Sequence, residues 1–478
     1  MPQTVRHVQR SLKFIPAAYN PWVMRVIHWL LPIFLRIRLR SWLPAGIDRI
    51  EVSGVDHLVD LYQQFESHQA RFLMAPRHVE VDDPLSGLYL CSRAVAQAAK
   101  KRGIQLKQPV HIHFVYERGM TIWAGKLVGW LLSHIGGTPI RRGRKPDWVG
   151  LKAAKKLMLE GDMPLVVAPE GATNGHSERI GPLEPGVAQL GFWCAEDLQK
   201  AGRPETVFIV PVGIRYRYEQ NNWPRLATLL TRLEKQSGLV PLDSESSEHT
   251  TPPDKDCYLR ILRLGERLIE TMEGFYKRCY PQKIESAAAN PTANQPETFT
   301  HPEACTQRLH TLLNKALRVS EQFFNLKGNG TFVDRARQIE EASWNYIYRE
   351  DLPELDQLSP LERGLADWAA QEASLRELHM RIAESFVAVD AHYLKEKPSF
   401  ERCAEMTLLM SDLLARLDGE KLPGRPRLGL RWVQMTVQPP IEVNSRLAAY
   451  QTNRRSGRQA VSDLTEDIRA SLEETIER

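Results

Sequence analysis

The sequence predicts an α/β fold that is interrupted by a long all-helical region. Apolar runs of strand length alternate with helix-length segments from residue 47 to residue 218, and this alternation returns after residue 426. The chain between these stretches shows helical spacing, with linker-like composition over 243–256 and 281–300. We therefore predict an N-terminal segment over 1–50, an α/β domain in two separated parts over 51–219 and 426–478, and a helical insertion over 220–425.

The individual elements follow from short apolar runs and from 3.6-residue periodicity. Strands are predicted over 47–52, 71–75, 110–115, 164–168, 207–214 and 430–437. Helices of the α/β domain are predicted over 55–70, 85–101, 121–134, 149–159, 185–200 and 461–476. In the insertion, a helix is predicted to start at 226–233, and others over 259–280, 302–326, 334–347, 360–395 and 399–418.

The N-terminal segment carries most of the positive charge. Its eight cations and one acid give +7, so the rest of the chain carries −2 of the net +5. Its most apolar part, from Trp22 to Leu35, contains Arg25 and Pro32 and is shorter than the roughly twenty apolar residues of a membrane-spanning helix. We predict an amphipathic helix on an anionic lipid surface, rather than a nucleic-acid-binding arm. The alternative is a helix that packs on the body of the protein.

The six cysteines are scattered along the chain without a CxxC pair and without histidines at zinc-ligand spacing. No apolar run is followed by a small-residue cleavage site, so no signal peptide is predicted. We therefore expect reduced thiols and a protein of the cytoplasmic compartment.

One stretch carries a candidate chemical group: in Ala75 to Pro84, His78 stands five residues before Asp83. The apolar run before it predicts a strand, and Asp83-Pro84 suits the start of a helix. A strand–loop–helix path lets Asp83 fold back onto His78, which their separation of roughly 140° on a continuous helix would prevent. The carboxylate would then fix the imidazole tautomer, and the neutral ring suits the removal of a proton from a substrate hydroxyl.

Three further blocks follow in order: Gly136-Gly-Thr-Pro-Ile-Arg-Arg142, Pro169-Glu-Gly171 and Val210-Pro-Val212. With the His-x4-Asp stretch, at these intervals, they resemble the glycerolipid acyltransferases of the 1-acylglycerol-3-phosphate O-acyltransferase (lysophosphatidate acyltransferase) type over about residues 50 to 218. The resemblance implies a mixed central sheet flanked by helices. It also implies transfer of a fatty acyl group from acyl-CoA or acyl-ACP to a lysophospholipid hydroxyl at the cytoplasmic face of a membrane, with 1-acylglycerol 3-phosphate as the leading acceptor and no cofactor or metal.

The resemblance further implies roles for the matching residues. These are His78 and Asp83 for the catalytic pair, Arg142 with Arg141 for the acceptor phosphate, and Glu170 with the Gly171 backbone for the glycerol. Arginine suits the phosphate because its guanidinium donates two parallel hydrogen bonds to phosphate oxygens.

Three positions depart from the family pattern. Ala172-Thr-Asn174 stands where the family has Thr-Arg-Ser, so the second phosphate-binding arginine is missing in sequence. Arg179 could replace it only if the following loop folds back. Arg77 stands where an asparagine often precedes the histidine, and Arg141 where an acidic or small polar residue is common. These departures concern the acceptor more than the acyl-transfer chemistry.

Two other functions are compatible with the sequence. The alternating residues from His78 to Asp83, His-Val-Glu-Val-Asp-Asp, would suit a metal-dependent hydrolase, although two of the expected histidines are absent. The chain could instead be a non-catalytic lipid-surface scaffold in which the helical insertion is the working part. His111 and His113 alternate on a predicted strand, and we interpret them as a polar sheet face rather than as metal ligands.

Overall fold

The structure is a computed structural model that describes residues 7–38, 46–141, 147–241, 253–281, 302–352, 354–386, 389, 391–420 and 424–477. The chain forms two compact units. A helical unit comprises the chain up to Ser11 and Asn221–Leu428, and an α/β unit comprises Leu12–Gln220 and Gly429–Arg478. The helical unit thus begins and ends near the predicted limits of 220 and 425, and it includes the first residues, which the sequence analysis places in the segment 1–50.

The strands and helices of the described residues are as follows. The strands are β1 (Gln9–Arg10), β2 (Ile47–Ser53), β3 (Ala70–Pro76), β4 (His113–Glu117), β5 (Gly137–Ile140), β6 (Leu165–Val166), β7 (Thr206–Tyr218), β8 (Tyr348–Arg349), β9 (Arg431–Val437) and β10 (Ile441–Glu442). The helices of the α/β unit are α1 (Pro21–Arg36), α2 (Val55–Glu66), α3 (Asp83–Tyr89), α4 (Ala96–Lys101), α5 (Met120–Ala124), α6 (Lys126–His134), α7 (Trp148–Glu160), α8 (Gly186–Lys200), α16 (Leu447–Thr452) and α17 (Arg454–Glu477). Those of the helical unit are α9 (Trp223–Gln236), α10 (Pro253–Cys279), α11 (Pro302–Phe323), α12 (Phe332–Ile347), α13 (Pro360–Ser385), α14 (Ala391–Glu396) and α15 (Phe400–Leu417).

The central sheet is mixed and is flanked by helices, which confirms the predicted architecture. Its strand order is β2-β9-β7-β3-β6-β4-β5, and β10 pairs with β7. β3 to β7 run parallel to one another, whereas β9 runs antiparallel to β7 and parallel to β2. The carboxyl ends of β3 to β7 therefore lie at one edge of the sheet, and the amino end of β9 lies at the same edge.

Both faces of this sheet are covered by apolar side chains. On β3, Phe72 and Met74 join one core, and Leu73 and Ala75 join the other, because alternate side chains of a strand face opposite sides. The second core is closed by α17. A Cβ on Gly213 of β7 would lie only 2.3 Å from Thr475 Oγ1, so glycine allows this close approach of α17 to the sheet.

Several elements differ from the sequence prediction for local reasons. The predicted helix 121–134 is two helices, α5 and α6, because Gly125 between them has a φ of 94°. The predicted helix 85–101 contains a π-helical segment, Leu90–Val95, between α3 and α4. The predicted strand 110–115 begins later, at His113. Most residues of the two predicted linkers, 243–256 and 281–300, lie outside the described residues, which omit 242–252 and 282–301.

The N-terminal helix α1 begins after Asn20, whose side chain accepts a hydrogen bond from the Trp22 N–H at 2.9 Å. One face packs on the α/β unit through Met24, Ile27, Leu31 and Leu35. On the other side, Trp22 and Trp29 are 72% and 74% exposed. In the part of the chain that the structure describes, no helix combines the length and the apolar character needed to cross a bilayer.

The helical unit has its own core. Leu313, Leu317 and Ile339 are buried in it together with Met380. Two of its helices, α12 and α13, begin with reciprocal capping boxes, which satisfy their first backbone N–H groups. β1 pairs with β8 in parallel, which explains why the first residues belong to this unit.

Two buried histidines, His111 and His113, bond backbone carbonyls, and the half-buried His28 of α1 lies beside His111. The Nε2 of His111 donates to the Ile135 carbonyl at 2.7 Å, and the ring of His28 on α1 lies 5.7 Å from the His111 ring. His113 likewise bonds a carbonyl, that of Gly136, at 3.0 Å. The rings of His111 and His113 are therefore buried groups bonded to the backbone, not the polar sheet face that the alternation predicts. No group of three or more potential metal ligands occurs among the described residues.

We expect these histidines to make the fold sensitive to acid. Burial lowers the pKa of His111 to about 3, and burial with repulsion from Arg93 lowers the pKa of His28 to about 4. Below pH 6.5 the unfolded chain binds protons that the folded chain does not, so stability falls with pH. His111 alone should cost about 2 kcal/mol between pH 6.5 and pH 5.

Urea unfolding of the wild type and of His111→Gln at these two pH values checks this expectation. Glutamine keeps a donor for the Ile135 carbonyl but does not titrate, so the variant should lose less stability on acidification. An unchanged pH dependence in the variant would contradict the assignment.

Candidate active site

The loop between β3 and α3 carries the predicted dyad. β3 ends at Pro76 and α3 begins at Asp83, with Pro84 at its second position, as the strand–loop–helix prediction requires. His78 lies on this loop, at the edge of the sheet formed by the carboxyl ends of the parallel strands. This edge is where α/β sheets commonly bind ligands.

The structure brings His78 and Asp83 together. The His78 Nδ1 lies 3.0 Å from Asp83 Oδ2. Because a carboxylate accepts, Nδ1 donates its hydrogen and Nε2 carries the lone pair. The histidine side chain is 28% exposed and the aspartate only 7%. A buried carboxylate thus orients a ring that substrate can reach, which is the geometry of a general base.

Two further donors hold the Asp83 carboxylate. The Glu80 backbone N–H donates to Oδ2 at 3.0 Å, and the Tyr216 hydroxyl donates to Oδ1 at 2.7 Å. Burial, and then the carboxylates of Asp82 and Asp83, raise the pKa of Tyr216 well above its usual value. Its hydroxyl therefore stays protonated and remains a donor at neutral pH.

The Glu170 carboxylate bonds to the backbone of His78 and to the loop that follows Gly171. Its Oε1 accepts the His78 backbone N–H at 3.0 Å, and its Oε2 accepts hydrogen bonds from Asn174 Nδ2 at 2.6 Å and from the Gly181 N–H at 2.9 Å. The side chain is buried. In this structure Glu170 supports the loop that carries His78, and its predicted contact with the glycerol stays a prediction.

Arg77 explains one departure from the family pattern. Its side chain is fully buried, its Nε lies 3.5 Å from Glu170 Oε1, and its guanidinium donates to the carbonyls of His176, Ser177 and Arg179. A buried arginine at this position therefore binds the chain that follows Pro-Glu-Gly. Asparagine is too short to make these bonds.

That chain does fold back over the dyad loop. The Asn174 and Gly175 N–H groups donate to the carbonyls of His78 and Val79 at 3.1 and 3.0 Å. Asn174, which stands in the missing Thr-Arg-Ser block, thus ties the two loops together. The folding back that a role for Arg179 requires is present in the backbone, and a phosphate contact by Arg179 stays a prediction.

Two of the other predicted ligand residues, Gly171 and Arg141, lie at the same edge. Gly171 follows β6 with a φ of 71°, a left-handed conformation that favours glycine. Arg141 directly follows β5, and its backbone N–H donates to Asp147 Oδ2 at 2.8 Å. Arg142, the predicted phosphate ligand, lies outside the described residues. The phosphate roles of both arginines stay predictions.

Sequence reasoning missed Arg431, the first residue of β9. Its Nη2 lies 2.7 Å from Asp82 Oδ2 and its Nη1 lies 3.7 Å from Glu80 Oε1. Burial alone would lower the pKa of Arg431, but these two carboxylates raise it above its usual value. The acidic residues on which the metal-hydrolase alternative depends thus pair with a cation of the protein itself.

The sequence does indicate that the dyad loop needs a cationic or hydrogen-bonding partner. Three acids, Glu80, Asp82 and Asp83, stand in a short loop between apolar segments, and buried acids need cationic or hydrogen-bonding partners. Arg431 opens an alternating strand in the closing part of the same domain. The sequence alone does not show which strands β9 pairs with, so it does not place Arg431 beside the acids.

The comparison with protein families agrees with this geometry. Residues 50–215 match the family model described as Acyltransferase. This part of the chain is thus similar to acyltransferase domains, and the match supports a general acyl-transfer function. No curated protein and no solved structure matches the chain significantly.

Proposed function

We propose that the protein transfers a fatty acyl group from acyl-CoA or acyl-ACP to the free hydroxyl of a lysophospholipid, with 1-acylglycerol 3-phosphate as the preferred acceptor. The observation that carries this proposal is the His78–Asp83 pair, whose exposed ring lies beside a buried carboxylate within the matched range. No serine or cysteine nucleophile accompanies the pair in the sequence block, so the acceptor supplies the attacking oxygen.

The reaction follows from the tautomer. The Nε2 of His78 takes the proton of the acceptor hydroxyl while its oxygen attacks the thioester carbonyl carbon. Asp83 stabilises the imidazolium through the Nδ1–H bond. The tetrahedral intermediate collapses by breaking the carbon–sulfur bond, and the imidazolium gives its proton to the departing thiolate. The products are an ester and a thiol, and the histidine is neutral again.

Acceptor preference depends on the position of the arginines. Arg141 follows β5, and β5 stands three places from β3 in the sheet order. Neighbouring strands lie about 4.8 Å apart, so the two strand ends are about 14 Å apart. A glycerol phosphate and an extended arginine side chain together bridge such a distance, which supports a phosphorylated acceptor.

An acceptor and donor panel tests the proposal. Labelled acyl-CoA and acyl-ACP are offered with lysophosphatidate, glycerol 3-phosphate or a neutral lysolipid. We expect the highest kcat/KM with lysophosphatidate. Equal rates with the neutral lysolipid would overturn the phosphate preference, and no transfer to any acceptor would overturn the function.

We also propose that the protein works at the cytoplasmic face of an anionic membrane. Trp22, Val26, Trp29 and Ile33 recur at helical spacing and are exposed on α1. Arg25 lies beside Trp22 on the same helix, its guanidinium carbon 5.0 Å from the Trp22 ring centre. Exposed tryptophans with neighbouring cations are typical of helices in the headgroup region. No two cysteines form a disulfide in the described part of the chain, which is compatible with a reducing compartment.

Vesicle binding tests the membrane proposal. Replacing Trp22 and Trp29 together by serine should weaken binding to vesicles containing phosphatidylglycerol at least tenfold, because two interfacial anchors are lost. The matched control is Trp368→Ser, which removes a tryptophan that is 64% exposed on α13 of the helical unit. Wild-type binding by the double variant, or an equal loss in the control, would contradict the proposal.

A further inference from the structure

The dyad is held by residues from both strands that connect to the helical unit. Tyr216 lies near the end of β7, and Arg431 begins β9. These strands are antiparallel neighbours, with Tyr218 opposite Arg431. The chain enters the helical unit at Asn221 and leaves it at Leu428. The strand residues that contact the dyad loop therefore stand just before and just after the insertion in the sequence.

The two residues also contact each other. The guanidinium carbon of Arg431 lies 4.7 Å from the centre of the Tyr216 ring, a distance at which a cation is attracted to an aromatic face. The Tyr216 backbone N–H donates to Ser177 Oγ at 3.1 Å, which ties it to the loop that folds back. Both side chains are buried, so their positions are fixed by packing as well as by hydrogen bonds.

We infer that Tyr216 and Arg431 are positioning residues for the His78–Asp83 dyad, and that the two strand ends flanking the helical insertion thereby complete the active site. The inference rests on the proposed function. Neither residue lies in the matched range 50–215, so the dyad depends on parts of this chain beyond that range.

Tyr216 acts on the Asp83 side chain. With the tyrosine in place, both carboxylate oxygens are bonded: Oδ2 to His78 and the Glu80 N–H, and Oδ1 to the hydroxyl. Without it, Oδ1 loses the hydrogen bond from the Tyr216 hydroxyl, and the carboxylate can rotate away from His78. The imidazolium that forms during the reaction then loses its aligned partner, while the substrate contacts are unchanged.

Arg431 acts on the loop itself. Glu80 and Asp82 are two of the four residues between His78 and Asp83, and both point at this guanidinium. Without the cation, two further buried carboxylates would repel the Asp83 charge and would have to move toward water. Such a movement would carry the Glu80 N–H away from Asp83.

The kinetic test compares two tyrosine variants. Tyr216→Phe removes only the hydroxyl and keeps the ring under Arg431. We expect kcat to fall at least tenfold and the acceptor KM to stay within twofold. The matched control is Tyr62→Phe, which removes a buried hydroxyl bonded to the His111 carbonyl at 2.9 Å in the same unit. Its kcat should stay within twofold of wild type. A wild-type kcat in Tyr216→Phe, or a similar loss in the control, would overturn the inference.

The charge of Arg431 is tested by a conservative pair. Arg431→Lys keeps a cation near the two carboxylates, whereas Arg431→Gln removes it. We expect the lysine variant to retain at least tenfold more kcat than the glutamine variant. Equal kcat values in the two variants would overturn the role of the charge.

A spectroscopic arm separates this inference from the proposed function. In protein with ¹⁵N-labelled histidine, the His78 Nδ1–H should exchange with water at least tenfold faster in Tyr216→Phe than in wild type or in Tyr62→Phe. If the wild type transfers no acyl group, the proposed function fails. The exchange rate of the His78 Nδ1–H still tests whether Tyr216 positions the dyad. An unchanged exchange rate in Tyr216→Phe would overturn that role.

Discussion

Replacing His78 by alanine should lower the kcat of acyl transfer at least 100-fold, because general-base catalysis by a positioned side chain contributes about 10²- to 10⁴-fold. The ring is partly exposed and the Asp83 carboxylate stays buried after the substitution, so the fold should survive. Initial rates of ester formation, measured with labelled acyl donor at saturating acceptor, give the ratio directly.

Two variants serve as controls for this loss. His57→Ala removes a histidine from α2, outside the site, and should leave kcat within twofold. Asp83→Asn keeps the size of the side chain but loses the charge that fixes the Nδ1–H tautomer, so it should also lose at least 100-fold. A His78→Ala enzyme that keeps more than a tenth of the wild-type kcat would show that the base lies elsewhere.

Truncation after residue 425 should abolish folding of the α/β unit. β9 lies inside the sheet, between β2 and β7, and α17 closes the second core. Among the buried side chains that the truncation removes, six large apolar ones lie on β9 and α17: Val433, Met435, Val437, Leu464, Ile468 and Leu472. At about 1.5 to 3 kcal/mol each, their loss amounts to roughly 9 to 18 kcal/mol. Typical domain stability is only about 5 to 15 kcal/mol, so no folded α/β unit should remain.

The matched control removes the helical unit and keeps the closing strand. The Glu219 N–H donates to the Leu430 carbonyl at 3.0 Å, so a short glycine-containing turn can replace residues 221–428. Calorimetry should show a cooperative transition for this protein and no transition of the α/β unit for the truncated one. A truncated protein that melts cooperatively with its α/β unit intact would contradict the interrupted-domain architecture.

The dyad could be predicted from the sequence because its two residues are five positions apart. The end of an apolar strand and an Asp-Pro helix start define a short loop, and this loop brings the two side chains within reach of each other. The α/β class was predictable for a similar reason, since strand and helix periodicities are local. The break at Gly125 was not predicted because the apolar spacing continues across it.

Tyr216 and Arg431 could not be predicted in the same way. Their approach to the dyad depends on sheet order, and no local pattern states that a strand from the end of the chain lies between β2 and β7. The interior role of Arg77 was missed because its partners are backbone carbonyls, which carry no sequence signal. Tertiary hydrogen bonds of this kind are visible only once the loops are placed.

If the proposed function is right, the protein joins thioester cleavage to ester formation. The most direct measurement follows wild-type protein with labelled acyl-CoA or acyl-ACP and lysophosphatidate in vesicles, counting released thiol and new ester together. We predict one ester for each thiol, with both dependent on the acceptor. Thiol release accompanied by free fatty acid, or no thiol release from protein shown to be folded, would contradict the account.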